Sequence, residues 1–433
     1  FEGITGRGEV RYGGANLEQS NAAVVDVGTG NFVMHFDAYN RDSKNLRIPG
    51  NAISNKLEST QVWDPAEGAG AGGYATYPTN HGRKKLLNSQ SETRGGAVGA
   101  SMIFDRGYAG VSYAKHQTKY GSVKEPGILL DMDTDRIDFA SEIRDLGSFF
   151  ERAKFKAAYT DYRHHEMGGG EIHTTFKNKG IDGTFELAHA PLMGLKGILG
   201  TQFDNGKFDA IGHEAFLPNS KTNSQSVYVY EELPLNQHKM TFGLRHGKHE
   251  VESKGGGEAD HEGLAKFGDP SRKKFSTNNA AIGGLYALNE QWSLTGNLSH
   301  NERAPSYFEL FANGVHTATG TYQEGQSDLK KEKSNGLDGQ IRWKSGQDSL
   351  TFGAYFNRFS NFNGLLSTNL PGVAEVHHEG EEEESVTYNI SRFTGIKAEF
   401  KGVELEGKTM LTDYVQFNVR GDYVDARNKT NGG

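Results

Sequence analysis

The chain has 433 residues, no cysteine, 47 Lys and Arg against 55 Asp and Glu, and a formal net charge of −8. Without cysteine there are no disulfides, thiolate metal sites or Cys nucleophile, and an acidic chain with no basic stripe lacks the electrostatics of a nucleic-acid binder. Gly (57), Phe (25) and Tyr (18) abound while Pro numbers only 10, a balance that suits sheets more than helices.

No apolar run reaches the roughly 18 residues a transmembrane helix needs, and the opening FEGITGRGEV lacks the charged and apolar regions of a signal peptide. That opening predicts a chain that begins after processing or is a fragment.

In chain order, the first clear element is NFVMHFDAY. There Phe32, Met34, Phe36 and Ala38 share one face, and Val33, His35, Asp37 and Tyr39 share the other. A period of two predicts a strand. A long polar connection over residues 43–93 follows. Its GAGAGG, residues 68–73, fits G-x-G-x-x-G but follows VWDPAE rather than a strand, so it reads as a flexible loop.

Alternation returns in DRIDFASEIRD, with Ile137, Phe139 and Ile143 opposite charged neighbours, and in ERAKFKAAYTDY, with Ala153, Phe155, Ala157 and Tyr159 opposite Arg152, Lys154 and Lys156. It recurs in KMTFGLRHG, DSLTFGAYFNRF and YVQFNVRGDYV, where Met240, Phe242, Leu244, Phe352, Phe356, Phe417 and Val419 carry the apolar face. Short connections (DRG, LNEQ, SGQD) alternate with long polar ones.

Long strands with one apolar face, tight turns at one end and long loops at the other predict an all-β, transmembrane outer-membrane β-barrel. Closure leaves no backbone edge unpaired in lipid. The competing reading is a soluble sandwich or propeller, whose strands also alternate but are usually shorter, near five or six residues.

The segment SLTGNLSHNERAPSYFELFANGVHTATGTYQEGQSDLKKEKSNGLDGQIRW carries an RAPSxxELFA run (Arg303, Ala304, Pro305 and Ser306, then Glu309, Leu310, Phe311 and Ala312) and an LKxEKS run (Leu329, Lys330, Glu332, Lys333, Ser334). Together they resemble the TonB-dependent outer-membrane receptors. ANGVHTATGTYQEG and DYRHHEMGGGEIHTTFKNKG are similar to the zinc-receptor branch of that family.

The resemblance implies a barrel of 22 strands, an N-terminal plug domain and coupling to the TonB energy-coupling complex. The alternating segments number roughly sixteen or seventeen, no plug is recognisable, and DARNKTNGG ends in a loop. Residues 1–433 are therefore expected to be the receptor's β-barrel domain, with plug and C-terminal strands outside the chain.

The 16 histidines, many beside acids, point to zinc, because neutral imidazole with carboxylate is a ligand set it favours. By the family match, His316 and Glu171 are the expected wall ligands, fed by His164, His165 and Glu166. EVHHEGEEEES places His377 and His378 beside Glu379 and Glu381, so repulsion among carboxylates would be relieved by a divalent cation. The plain reading of that run, of HEVESKGGGEADHEG and of DMDTD is a solvated charged segment.

No H-E-x-x-H and no G-x-S-x-G occurs. The expected chemistry is ligand exchange, not catalysis, with zinc as transported substrate and no catalytic cofactor. The expected partners are TonB, outer-membrane lipid and a host zinc-binding protein at the loops, with no nucleic acid. Siderophore or haem uptake is the alternative cargo, and a passive barrel presenting loops to a host partner is the alternative class.

Overall fold

The computed structural model describes residues 2–52, 83–123, 127–212, 215–257, 264–316, 319–368, 370, 372–379 and 382–430. The GAGAGG stretch and Glu381 lie outside the described residues.

The first strands, β1 (Gly3–Gly13), β2 (Glu18–Thr29) and β3 (Phe32–Ser43), form an antiparallel meander. The pair β4 (Leu46–Asn51) and β5 (Arg83–Leu86) makes a separate small sheet. The meander resumes with β6 (Ser91–Phe104), β7 (Gly107–Gly121), β8 (Leu129–Arg144), β9 (Phe150–Gly168) and β10 (Glu171–His189). It continues through β11 (Lys196–Gly212), β12 (Ser220–Leu235), β13 (His238–Ser253), β14 (Ser271–Ala287) and β15 (Trp292–Arg303).

A helical turn, α1 (Tyr307–Phe311), and the hairpin β16 (Asn313–His316) and β17 (Thr321–Glu324) come next. The chain then runs through β18 (Glu332–Ser345), β19 (Asp348–Ser367), β20 (Val373–Glu379), β21 (Glu382–Thr412) and β22 (Val415–Asn428). Among the described residues the large sheet has 20 strands; β16, β17 and β20 belong to connections, which leaves 17 wall strands, each antiparallel to the next.

The wall has two faces because successive side chains point to opposite sides. Val98, Val111, Ile137, Tyr159, Ile181 and Val227 are all exposed on the outer face. Such a belt of large apolar side chains is stable only against lipid. Near the turn end the rings of Trp292 and Trp343, directly opposite in register, lie 6.5 Å apart, as in an interfacial aromatic girdle.

The tight turns expected at one end are present: residues 105–106, 288–291 and 346–347 each join neighbouring strands. At the other end, β9 and β10 are joined by Gly169 and Gly170, with φ of +59° and +89°, positions that L side chains rarely adopt.

Residues 300–303 are the last rungs of β15, and the connection to β18 begins at residue 304. It leaves and re-enters the wall at a single rung, because Arg303 pairs with Glu332 across β15 and β18.

Candidate substrate cavity at the loop end

The 304–331 connection folds back over the wall, and its own sequence dictates how. Ser306 caps α1: its side chain accepts from the Glu309 N–H, and the Glu309 side chain returns to the Ser306 N–H, a capping box. Arg303 then grips Glu309 through two nitrogens at 2.9 and 2.6 Å and Glu332 through Nε at 2.5 Å.

Burial alone would raise the Glu309 carboxyl, but Arg303 and the Ser306 N–H hold it below the ordinary carboxylate range. The RAPSxxELFA run is therefore first a folding device. It pins a short helix whose Leu310 is buried with Val251, Leu329 and Phe393.

The neighbouring apolar cluster joins Phe176, Phe216, Leu217 and Ala312, with Phe208, Tyr307 and Phe308 packed against it. Beside it is a cavity of about 310 Å³ lined by Tyr162, His164, Glu166, Phe176, Phe208, Phe216, Tyr307 and His316, among others. His164, Glu166 and His316 thus share one cavity, although about 150 residues separate the β9 pair from His316.

Geometry sorts the expected ligands. Tyr162, His164 and Glu166 alternate along β9 and face inward. His164 stacks on Phe176 with centroids 4.7 Å apart, and its Nδ1 lies 2.9 Å from the Tyr162 hydroxyl. Burial, then the neighbouring His165, lowers the tendency of His164 to protonate. This pair lies above the lipid belt, since the outer face of β9 turns from Phe155 and Tyr159 to Asp161 and Arg163.

His316 stacks on Phe216 at 4.7 Å with the planes 17° apart, and the Gln323 amide donates to its Nδ1 at 3.2 Å. Gln323 is 2% exposed, and its Oε1 has no hydrogen-bond partner among the described residues.

The other expected ligands are placed elsewhere. His165 faces outward, its Nδ1 2.8 Å from the Thr175 hydroxyl. Glu171 is exposed at the tip of the β9–β10 turn opposite Gly168, and a β-bulge separates it from the rungs that face the cavity. His377, His378 and Glu379 lie in β20, which pairs with β21. Among the described residues, no three His, Asp or Glu groups are close enough together to hold one ion.

Sequence reasoning missed Phe176, Phe208, Phe216 and Tyr307. A signal for the first was available: in HTTFKNKG, Phe176 sits on the face of Thr174 and Asn178, where a water-filled wall would be polar. A second cavity of about 430 Å³, lined by Asp182, Asp204, His249 and Ser306 among others, shares Tyr162, Asn178, Phe208 and Tyr307 with the first. Those four side chains form the partition between the two.

The family described as "TonB dependent receptor-like, beta-barrel" matches residues 21–433. The structure of the copper transporter OprC superposes with a TM-score of 0.74 at 13% identity, covering 99% of this chain and 62% of its own. The FrpB iron transporter of Neisseria meningitidis (F3-3 variant) gives 0.66 at 14% identity, covering 98% and 61%. The siderophore receptor PirA of Pseudomonas aeruginosa gives 0.64 at 12% identity, covering 99% and 67%. The chain thus spans about three-fifths to two-thirds of the length of these relatives, and at such identities the likeness is one of fold. The relatives do not single out a zinc branch.

Proposed function

This chain belongs to the TonB-dependent receptor β-barrel family, whose members are receptors and transporters of the Gram-negative outer membrane, and from that premise we propose that it is the wall of an importer of a metal-bearing cargo. We further propose zinc, or a complex presenting zinc, as that cargo. Uptake would be coupled to TonB, with residues 1–433 acting as barrel and the moving gate supplied by a plug outside this chain.

The observation that supports this reading is the shared cavity of His164, Glu166 and His316. It lies at the loop end, which is the extracellular end of such barrels. Two imidazoles and a carboxylate suit zinc, and the low basicity of His164 keeps its lone pair available. Because the three do not yet close on one point, capture requires the 304–331 connection to move toward β9 or a further ligand to come from the cargo or plug. Glu171 and His165 would act at the entrance. His377, His378, Glu379 and Glu381 would serve as an outer collector.

One observation favours a second cargo class. Phe176, Phe208, Phe216, Tyr162 and Tyr307 line the same cavity, and such aromatic walls suit the organic body of a siderophore or haem. Nothing in the structure or its relatives supports a host zinc-binding protein, and it forms no part of the proposal. No enzymatic step is proposed.

The test is calorimetric titration of the complete detergent-solubilised receptor with zinc, beside His316→Ala and His164→Ala. One tight site weakened roughly tenfold or more in both variants supports the zinc reading. Equal binding by all three proteins removes these residues from the site. No zinc binding, with uptake of a ferric siderophore or haem instead, selects the second class.

A further inference from the structure

The hairpin β16–β17 gathers a small polar cluster around His316. His316 is directly opposite Thr321, and Gln323 follows two residues on, so the three share one face of the hairpin. Gln323 is 2% exposed, and its Nε2 lies 3.2 Å from His316 Nδ1, 3.1 Å from Thr319 Oγ1 and 3.4 Å from Thr321 Oγ1. The Thr319 hydroxyl in turn donates to the His316 carbonyl at 3.0 Å and lies 2.9 Å from the Thr321 hydroxyl.

Chemistry fixes the direction of the first of these bonds. An amide nitrogen only donates, so His316 Nδ1 accepts, and in the neutral imidazole the ring proton is then on Nε2. Both ring nitrogens are thereby occupied, and neither offers a lone pair to zinc. In this tautomer His316, which lines the cavity, acts on cargo through Nε2 as a donor and suits an oxygen acceptor. A metal needs the reverse: a lone pair on the ligating nitrogen, with the other ring N–H given to an acceptor.

The same amide supplies the means of reversal. Its Oε1 has no hydrogen-bond partner among the described residues, although a buried side-chain oxygen ordinarily has one. A half-turn of the amide exchanges oxygen and nitrogen and leaves the rest of the side chain in place. Oε1 then accepts from His316 Nδ1–H and from a rotated Thr321 hydroxyl, which is able to donate as well as accept. The amide nitrogen moves to the position that has no partner among the described residues. Each orientation satisfies one end of the amide and leaves the other bare, so neither is locked.

We propose that Gln323 is a positioning residue that sets the ring tautomer of His316: as it stands the amide makes His316 a hydrogen-bond donor, and its half-turn makes His316 a metal ligand. The exchange returns the Nε2 proton to water and takes one from water at Nδ1, so no charge changes. The ligand half of this statement rests on the zinc reading above, and the tautomer half does not. Zinc and an oxygen-rich organic cargo thus call for opposite settings of one buried amide.

The experiment uses the complete receptor, reconstituted in lipid with isotope-labelled histidine and read by magic-angle-spinning NMR at about pH 8, where the ring is neutral. The His316 ring nitrogens are assigned by difference from His316→Ala. Without zinc the parent should carry the proton on Nε2, and saturating zinc should move it to Nδ1. Gln323→Glu offers only acceptors; it should carry the proton on Nδ1 without zinc and bind zinc at least as tightly as the parent. Gln323→Leu should populate both tautomers and weaken zinc binding by about tenfold. A proton on Nδ1 in the zinc-free parent, or the same tautomer in the parent and in Gln323→Glu, overturns the proposal. So does a parent that binds zinc while the proton stays on Nε2. Inversion in Gln323→Glu with no zinc bound by any of the proteins supports the tautomer half and overturns the ligand half together with the zinc reading.

Discussion

Two histidines on the same inner wall show how little a count of histidines says about metal binding. His35 on β3 is held between acids: Nδ1 is 2.7 Å from Asp26 and Nε2 is 2.9 Å from Asp37. Carboxylates only accept, so both ring nitrogens donate and neither offers a lone pair. His164 on β9 sits among aromatic rings, with only Nδ1 engaged among the described residues. The histidine beside acids is an ion pair, and the histidine beside phenylalanines is the one able to ligate.

The most damaging way to blur this contrast is to open the packed side. Arg303→Met leaves Glu309 and Glu332 buried beside an apolar chain, and removing one partner of such a pair costs about 3 kcal/mol, the low end of the range because Arg303 is half exposed. Hydrogen exchange should show the 304–331 connection unprotected while the β2–β3 ladder is unchanged. Phe176→Ala removes the ring under His164 and should cost about 3 kcal/mol or somewhat less, because the lumen can admit water. Thermal unfolding of the reconstituted receptor checks it, and zinc affinity should fall as well.

Acid sharpens the comparison. Burial holds the folded His164 below its ordinary value of 6.5, so the unfolded chain takes up a proton first as the pH falls. The stability contribution is therefore complete above about pH 6.5 and declines below it, until the folded imidazole itself protonates. Protection of β9–β10 amides relative to intrinsic exchange, compared at about pH 7.5 and about pH 5.5, should fall in acid, and less so in His164→Phe. Zinc capture at His164 should survive to lower pH than an unperturbed imidazole allows.

The smallest effect is expected at His35→Gln. Its ion pairs are more than a third exposed at His35 and Asp26, so the loss should be below about 1 kcal/mol. Zinc affinity should be unchanged by calorimetry. A large loss of zinc there would reverse the assignment of the two histidines.

The wall was legible because each strand repeats a period of two against a uniform solvent on either side, and NFVMHFDAY or ERAKFKAAYTDY states it without help from the rest of the chain. The site was legible only in part. His164 and Glu166 share a face by the same parity that sends His165 outward, yet HHE reads as one cluster if parity is ignored. The stacking of His316 on Phe216 joins two connections far apart in sequence, and no local pattern encodes it. RAPSxxELFA announced a family before its physical content, the Arg303 clasp on Glu309 and Glu332, could be seen.

That clasp sits on the rung where the 304–331 connection leaves and re-enters the wall. The strands below are already closed by their own hydrogen bonds, so the barrel is indifferent to what is spliced in above. Lengthening such an excursion costs only about 0.6 kcal/mol per doubling. The rung is a natural graft junction: a foreign segment inserted between Arg303 and Glu332 would inherit a finished scaffold and could change what the barrel recognises without refolding it.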